Sequence, residues 1–323
     1  MKKMLFIPIG FYDYDNIIQL EFEKQGYEVT RFTPIGDYNS KMFSRVKNVI
    51  SKGEYVKKLC YERENEILLK DNTAYDLVFV IVGRELFPEV LKKLRKKQSQ
   101  AKFVLYLWDD VKRVEHFWKN KDCYDRIITF DPVDSEEYGF DFLPLFFTDK
   151  HRYEKQKKIF DLSLMGSFHS NRLEVWEKVL SQVNIDENKL YLYLNAATVG
   201  QVMKAIIPSK DKWLDTRYIN VRLKSFNYMA EIFKRSRTTI DVQFSSQNGL
   251  TLRTIESLAA RTKLITTNEK VKDYDFYKYG NVLVVDRDNP VVPQEFIDKK
   301  YRELPGEILE KYSITSWVKN ILA

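Results

Sequence analysis

Apolar residues along the chain fall in short runs separated by longer amphipathic stretches. In the first half, KMLFIPI (3–9), YEVTRF (27–32), DLVFVIV (76–82), KFVLYLW (102–108) and RIITF (126–130) have strand length and are rich in β-branched and aromatic residues. Between them, residues 15–26 place Ile17, Ile18, Leu20 and Phe22 ahead of Gly26, a helix with its stop. Residues 39–70 are helical in pattern and rich in lysine, and Pro88 opens a helix with Val90, Leu91 and Leu94 on one face. The charged stretch DKHRYEKQKKIFD (149–161) breaks the rhythm and is the candidate linker. Beyond it, DLSLMG (161–166), KLYLYLN (189–195), TTIDVQF (238–244), KLITT (263–267) and NVLVV (281–285) predict strands. Residues 170–182, 226–235 and 252–260 predict helices, 196–222 reads as irregular, and the tail 305–323 as helical. Strands alternating with helices predict an α/β chain with mostly parallel sheets covered on both faces. Two such units in tandem would leave a ligand cleft between the carboxyl ends of their strands.

The length of 323 residues suits about two domains. Hydrophobic residues at 44% and aromatics at 14% are enough to build two cores and exclude a disordered chain. No apolar run reaches the ~18 residues of a membrane span. The opening MKKMLFIPIGFYDYD has too short an apolar part for a signal peptide and reads as a first strand. Cys60 and Cys123 have neither metal-ligand nor redox spacing, so reduced cytoplasmic thiols are expected. A formal charge of +7 and a pI near 9.0 permit nucleic acid, anionic membrane or phosphorylated substrates, and select none of them. The chain lacks an RNA-binding aromatic-basic motif, a zinc knuckle and a helix-turn-helix signature, so no nucleic-acid partner is expected.

In folds of this kind the loops after the strands carry the chemistry. After the first-half strands come Gly10, Tyr12, Asp13 and Asp15, then Gly83, Arg84 and Glu85, then Asp109 and Asp110, then Asp131. In the second half, GSFHSNR (166–172) offers Gly166, Ser167, His169 and Arg172 at a helix start, and NGLTLR (248–253) offers Gly249 and Arg253 at the next. Helix N-termini with free N–H groups attract phosphate, and arginines add charge-assisted bonds. The plainer alternative is that Ser170 and Thr251 are only N-caps. Glu256 lies about one turn into the 252–260 helix. It is either a surface glutamate or a carboxylate for the ribose hydroxyls of a nucleotide whose diphosphate sits at the helix start. The triplets Asp13/Asp15, Asp273/Asp275 and Asp286/Asp288 have the D-x-D form of metal-binding transferases, but none has the matching position, so no metal is expected.

The stretch NGLTLRTIESLAARTKLITTN (248–268) resembles the nucleotide-sugar motif of group 1 GT-B glycosyltransferases. That motif is a glutamate, seven residues, a second glutamate, then a small-residue helix and a strand. Glu256 falls on the ribose-binding carboxylate. Asn248 replaces the glutamate that contacts the donor sugar or diphosphate, Gly249 is the matching glycine, and Thr251 stands at the next one. DLSLMGSFHSNR (161–172), YLWDD (106–110) and ITFDPVDSEEYGFDFLPLFF (128–147) resemble a bacterial branch related to CgeB-like spore-coat and surface-polysaccharide transferases.

The resemblance implies a GT-B fold: two Rossmann-like domains facing across a cleft, with a C-terminal helix packing back on the first. The expected domains are 1–155 for the acceptor, 156–304 for the nucleotide sugar, and 305–323 for the returning helix. Donor contacts would come from Gly166, Ser167, His169 and Arg172, from Lys224 and Tyr228, and from Asn248, Gly249, Leu250, Thr251, Leu252, Arg253 and Glu256. Gly10 and Tyr12 would lie on the acceptor side, and Asp13, Asp109 or Asp110 would be the catalytic base. The expected reaction is metal-independent transfer from a nucleotide-diphosphate sugar, a UDP-sugar foremost, with no other cofactor. The acceptor would be a glycan or lipid-linked sugar of a capsule, lipopolysaccharide or exopolysaccharide. Residues 41–58 and 90–97 mix apolar and basic residues and suggest peripheral contact of a cytoplasmic protein with the anionic inner membrane. The alternative is a non-catalytic, transferase-like binding protein of a spore coat or envelope assembly.

Overall fold

The computed structural model describes residues 1–11, 13–33, 54–84, 86–168, 171–196, 219–220 and 222–323. They form two compact units: Met1–Pro144 with Val318–Ala323, and Leu145–Trp317.

The first unit runs β1 (Lys2–Ile7), α1 (Tyr14–Lys24), β2 (Tyr27–Arg31), α2 (Glu54–Arg63) with a π-helical turn (Glu64–Leu68), β3 (Leu77–Ile81), α3 (Pro88–Lys97), β4 (Lys102–Leu107), α4 (Phe117–Asn120), β5 (Arg126–Thr129), α5 (Pro132–Tyr138) and β6 (Asp141–Phe142). All the strands are parallel, in the order β2-β1-β3-β4-β5-β6. Burial on both faces explains why the inner strands read as unbroken apolar runs; every residue of β3 is buried. α1 buries Tyr14, Ile18 and Phe22 on one face, and Phe22 packs its ring 5.2 Å from that of Phe79. Gly26 follows with φ +89°, a conformation that stops the helix at little cost for glycine. α3 buries Val90, Leu91 and Leu94 and leaves Lys92, Lys93, Lys96 and Lys97 outside. Its apolar face is therefore spent on the core, and only its cations are available to a membrane surface. Of the other segment with that reading, residues 41–53 lie outside the described residues.

The second unit runs β7 (Phe160–Ser167), α6 (Arg172–Leu180), β8 (Leu190–Asn195), β9 (Ile219–Asn220), α7 (Phe226–Arg235), β10 (Ser236–Asp241), α8 (Leu252–Ala259), β11 (Lys263–Thr266), β12 (Val282–Val284), α9 (Gln294–Asp298) and α10 (Gly306–Lys311), and α11 (Ile314–Leu322) ends the chain. Its strands too are all parallel, in the order β12-β11-β10-β7-β8-β9. One apolar cluster gathers Leu162, Leu164, Val175, Val179, Ile240 and Ile265; another gathers Ile255, Leu258, Leu264, Phe276 and Tyr312. The β10 ladder ends at Asp241, so Val242 and Gln243 lie in the loop. The charged stretch 149–161 is docked on its own unit. Arg152 makes a two-pronged pair with Glu310 at 2.5 and 2.7 Å, and the Tyr153 amide donates to the Ala259 carbonyl at 2.8 Å. The tail is two helices, because Ser313 leaves the helix to bridge Phe147. The last six residues join the first unit, where Arg126 Nη1 donates to the carbonyls of Asn320 and Ile321 at 2.8 and 3.1 Å.

Each sheet has its earliest strand inside, with later strands added on both sides. The connections diverge between β1 and β3 and between β7 and β10. Such switch points open a crevice at the carboxyl ends of the strands, where α/β folds bind ligands.

Candidate functional site

Three arginines converge at the β7–β10 switch point. Arg172, at the start of α6, is 8% exposed; its Nη1 donates to the Ser167 carbonyl at 2.7 Å, and its Nε and Nη2 to that of Val242 at 3.2 and 2.8 Å. Gly166 makes room for it, since a Cβ there would lie 2.4 Å from Nη1. Arg253, in the first turn of α8, donates to the Met165 carbonyl and holds Nε 3.7 Å from Asp241. Arg287, beyond β12, donates to Asn171 Oδ1 at 2.8 Å and to the Gln243 carbonyl at 2.5 Å. Asp241, 3% exposed, is the carboxylate that faces Arg253, and it also accepts from the Thr251 hydroxyl at 2.7 Å. Burial pushes the Arg172 pKa down to about 9; Arg253 adds to the fall, Asp241 opposes it, and Arg287 adds again. Burial also lowers that of Arg287. The cluster carries more positive than negative charge at low exposure, so a bound anion would relieve it.

The N-terminus of α8 opens at the same place. Thr251 caps it, its hydroxyl accepting from the Thr254 amide at 3.4 Å. The amides of Leu252 and Arg253 stand in the first turn, where a helix offers no internal acceptor. The preceding loop is fixed by Asn268, whose Nδ2 donates to the carbonyls of Asn248 and Gly249 at 3.1 and 3.2 Å. Leu250 is 1% exposed and its side chain belongs to the core, so only its backbone faces the loop.

Glu256 is 6% exposed, which excludes the surface-glutamate reading. Its Oε1 lies 3.3 Å from His151 Nε2, and His151 Nδ1 lies 3.2 Å from the Thr148 hydroxyl. His151 is 2% exposed and meets the rings of Phe226 and Phe233 edge-on at 5.2 and 6.1 Å. Burial lowers its pKa against the pull of Glu256, with Lys234 adding to the fall, so the imidazole is neutral at pH 7. Tyr228, on the same helix as those two phenylalanines, is 40% exposed; its hydroxyl lies 3.2 Å from that of Tyr191, and the Lys224 ammonium sits 5.1 Å above its ring. His169 lies outside the described residues, as does Tyr12.

In the first unit the strand-end carboxylates differ sharply. Asp13 accepts from Asn16 Nδ2 at 2.7 Å, and Asp109 is paired with Arg84 at 2.6 Å. Asp110 is buried, its Oδ2 without a hydrogen-bond partner, and burial raises its pKa. Asp15 accepts from the Gly10 amide at 3.1 Å, and burial lifts its pKa to about 6 against the pull of Arg31. The sequence placed Asp15 behind the first strand but gave no sign of this shift, because only packing creates it. Across the switch point, Val82 and Gly83 have φ of +64° and +65°, a strained conformation for a β-branched residue. Nearby, Lys57, Arg84, Phe87, Glu115 and His116 line a groove of about 170 Å³ that sequence reasoning did not single out.

The later D-x-D triplets have local tasks. Asp275 accepts from Lys311 at 2.6 Å and the Tyr312 hydroxyl at 2.9 Å, and Asp286 Oδ1 accepts the amides of Asp288 and Asn289 at 2.9 and 2.7 Å. Among the described residues no group of three or more His, Cys, Asp or Glu could hold a metal ion. None of the described helices is long and apolar enough to cross a membrane.

No protein-family model matches the chain, and no curated protein matches it. Solved structures match in fold. An alpha-glucosyltransferase in complex with UDP and a mismatched 13-mer DNA aligns over 99% of this chain and 92% of its own, at TM-score 0.56 and 11% identity. The UDP-GlcNAc 2-epimerase of Methanocaldococcus jannaschii aligns over 100% and 99%, at 0.54 and 10%. A UDP-forming alpha,alpha-trehalose-phosphate synthase of Burkholderia vietnamiensis aligns over 100% of both chains, at 0.54 and 12%. The chain thus has the GT-B type of fold, two Rossmann-like units each built on a parallel six-stranded sheet. That fold serves transferases and an epimerase alike, so the fold alone does not specify a reaction.

Proposed function

We propose that the chain is a glycosyltransferase that moves a sugar, a hexose foremost, from a nucleotide-diphosphate sugar to a glycan or lipid-linked acceptor in bacterial surface-polysaccharide synthesis. The observation that carries this reading is the positive cluster of Arg172, Arg253 and Arg287 at the β7–β10 switch point, where α8 begins and Glu256 lies buried one turn on. The diphosphate would sit against the first-turn amides of α8 and the guanidinium groups. The ribose hydroxyls would donate to Glu256, and the base would lie toward Lys224 and Tyr228. UDP is the leading nucleotide, because all three neighbours carry UDP in their descriptions.

As the bond between the sugar carbon and the diphosphate oxygen breaks, fixed cations and amides would take up the leaving charge without a metal. The acceptor oxygen would bond to that carbon and give its proton to a carboxylate acting as base. Asp15, with a pKa of about 6, suits a base working near neutrality better than Asp13 or the paired Asp109, and Asp110 is the second choice. The lysine face of α3 would hold the protein against anionic lipid on the cytoplasmic side. Incubation with a panel of UDP-, GDP-, ADP- and CMP-sugars should reveal slow hydrolysis of one donor, and its nucleotide should raise the melting temperature. No shift with any nucleotide would overturn the reading. Asn248, an uncharged amide at the donor-contacting position, favours a second reading of binding without catalysis, which predicts the shift without turnover.

A further inference from the structure

Glu256 does not stand alone in its helix. The segment carrying His151 is strapped along α8 by the Tyr153 amide on the Ala259 carbonyl at 2.8 Å and by Lys158 Nζ on the Ala260 carbonyl at 2.7 Å. A tight turn, with the His151 amide on the Thr148 carbonyl at 2.9 Å, then aims the imidazole at Glu256. Phe226 and Phe233 of α7 leave the ring little freedom to rotate. The Thr148 hydroxyl faces Nδ1 at 3.2 Å, and the carboxylate faces Nε2 at 3.3 Å. The neutral ring has one donor and one acceptor. A carboxylate can only accept, so the proton belongs on Nε2, and Nδ1 accepts from Thr148. Lys234 of α7 is the other charged group that acts on this ring.

We propose that His151 is a positioning residue for the nucleotide's ribose: with Thr148 behind it, it fixes the rotamer of Glu256 so that the carboxylate meets the ribose hydroxyls. This rests on the nucleotide-sugar reading and adds to it the residues that set the preference for ribose over deoxyribose. A glutamate side chain on a helix has three rotatable bonds and is held in one geometry only by what it touches. Two ribose hydroxyls share one carboxylate, so a rotation that spoils the geometry removes the discrimination at the 2′ position before it removes binding of the diphosphate.

The test is calorimetric titration with UDP, GDP, ADP and CDP and their 2′-deoxy counterparts, on the full chain and on His151→Leu, His151→Gln and Thr148→Val. For the nucleotide that binds, wild type should prefer the ribose form about tenfold, the size of one strong hydrogen-bonded contact. In His151→Leu the ratio should fall to within about twofold, and His151→Gln, whose amide can still donate to Glu256, should keep most of it. Thr148→Val should narrow the ratio part of the way, and it decides the matter if His151→Leu does not fold. Equal losses of both affinities in His151→Leu, or an unchanged ratio in Thr148→Val, would mean a merely structural histidine and overturn the proposal. Wild type that binds none of the nucleotides refutes the nucleotide-sugar reading itself. Binding with no ribose preference refutes the ribose contact of Glu256, and the positioning role falls with it.

Discussion

Replacing Glu256 separates two jobs that one carboxylate performs. In Glu256→Ala the His151 Nε2–H, buried at 2% exposure, loses the acceptor 3.3 Å away. An unsatisfied buried donor costs about 1–3 kcal/mol. For a unit of this size each 1 kcal/mol lowers the melting temperature by about 2–4 °C, so the free protein should melt roughly 2–12 °C lower. The nucleotide should bind about tenfold more weakly, a loss of about 1.4 kcal/mol, because its ribose hydroxyls lose their acceptor. Glu256→Gln keeps a carbonyl oxygen for the imidazole but replaces the second oxygen with a donor. Its melting temperature should stay within about 2 °C of wild type, while affinity still falls about tenfold. Scanning fluorimetry reads the first quantity and calorimetry the second. A Gln variant that binds the nucleotide as tightly as wild type would remove Glu256 from the ribose. An Ala variant with an unchanged melting temperature would show that the His151 contact contributes nothing to the fold.

Gly166→Ala places a Cβ 2.4 Å from Arg172 Nη1 and should expel the guanidinium from the carbonyls of Ser167 and Val242. Urea denaturation should show a loss of about 2–4 kcal/mol, and nucleotide affinity should fall as well; a neutral outcome would mean the arginine relaxes without cost. Burial holds the folded His151 below its ordinary pKa of 6.5, so the unfolded chain binds the proton first as pH falls. Stability should therefore drop as pH is lowered through about 6.5, and His151→Gln should flatten that part of the curve in urea melts at pH 7.5 and 5.5. Asp15 has the opposite sign, since its folded pKa of about 6 exceeds the ordinary 3.8 and its stabilising contribution is lost as pH rises from one to the other. Asp15→Asn should melt higher than wild type at pH 7.5 yet lose about 10²-fold or more in kcat and the acidic limb near pH 6; full activity would exclude Asp15 as the base.

The alternation of apolar runs and amphipathic stretches was legible because burying a parallel sheet on both faces leaves each inner strand continuously apolar. β3, β4, β7 and β11 lie close to where that pattern put them. β10 is displaced toward the N-terminus, for the ladder ends at Asp241 while the apolar pattern continues through Val242. The pattern reports burial, and Val242 is buried in a loop whose carbonyl serves Arg172. β6 and β9, two residues each, are too short to leave any periodicity. The tail read as one helix, because the Phe147–Ser313 bridge that divides it joins residues far apart in sequence.

The sequence by itself determined the alternation of the main strands and helices, the α/β class and the helix on which Glu256 stands, because these depend on neighbours within a few residues along the chain. It also placed Arg172 and Arg253 at helix starts, where local chemistry favours anions. Only the tertiary structure decided what each of these groups touches. Folding put Arg287 beside Asn171, 116 residues away, and it laid His151 against Glu256 across a strand order that no local pattern encodes. The pKa of Asp15 and the neutrality of His151 belong to the same class, since desolvation depends on what packs around a group.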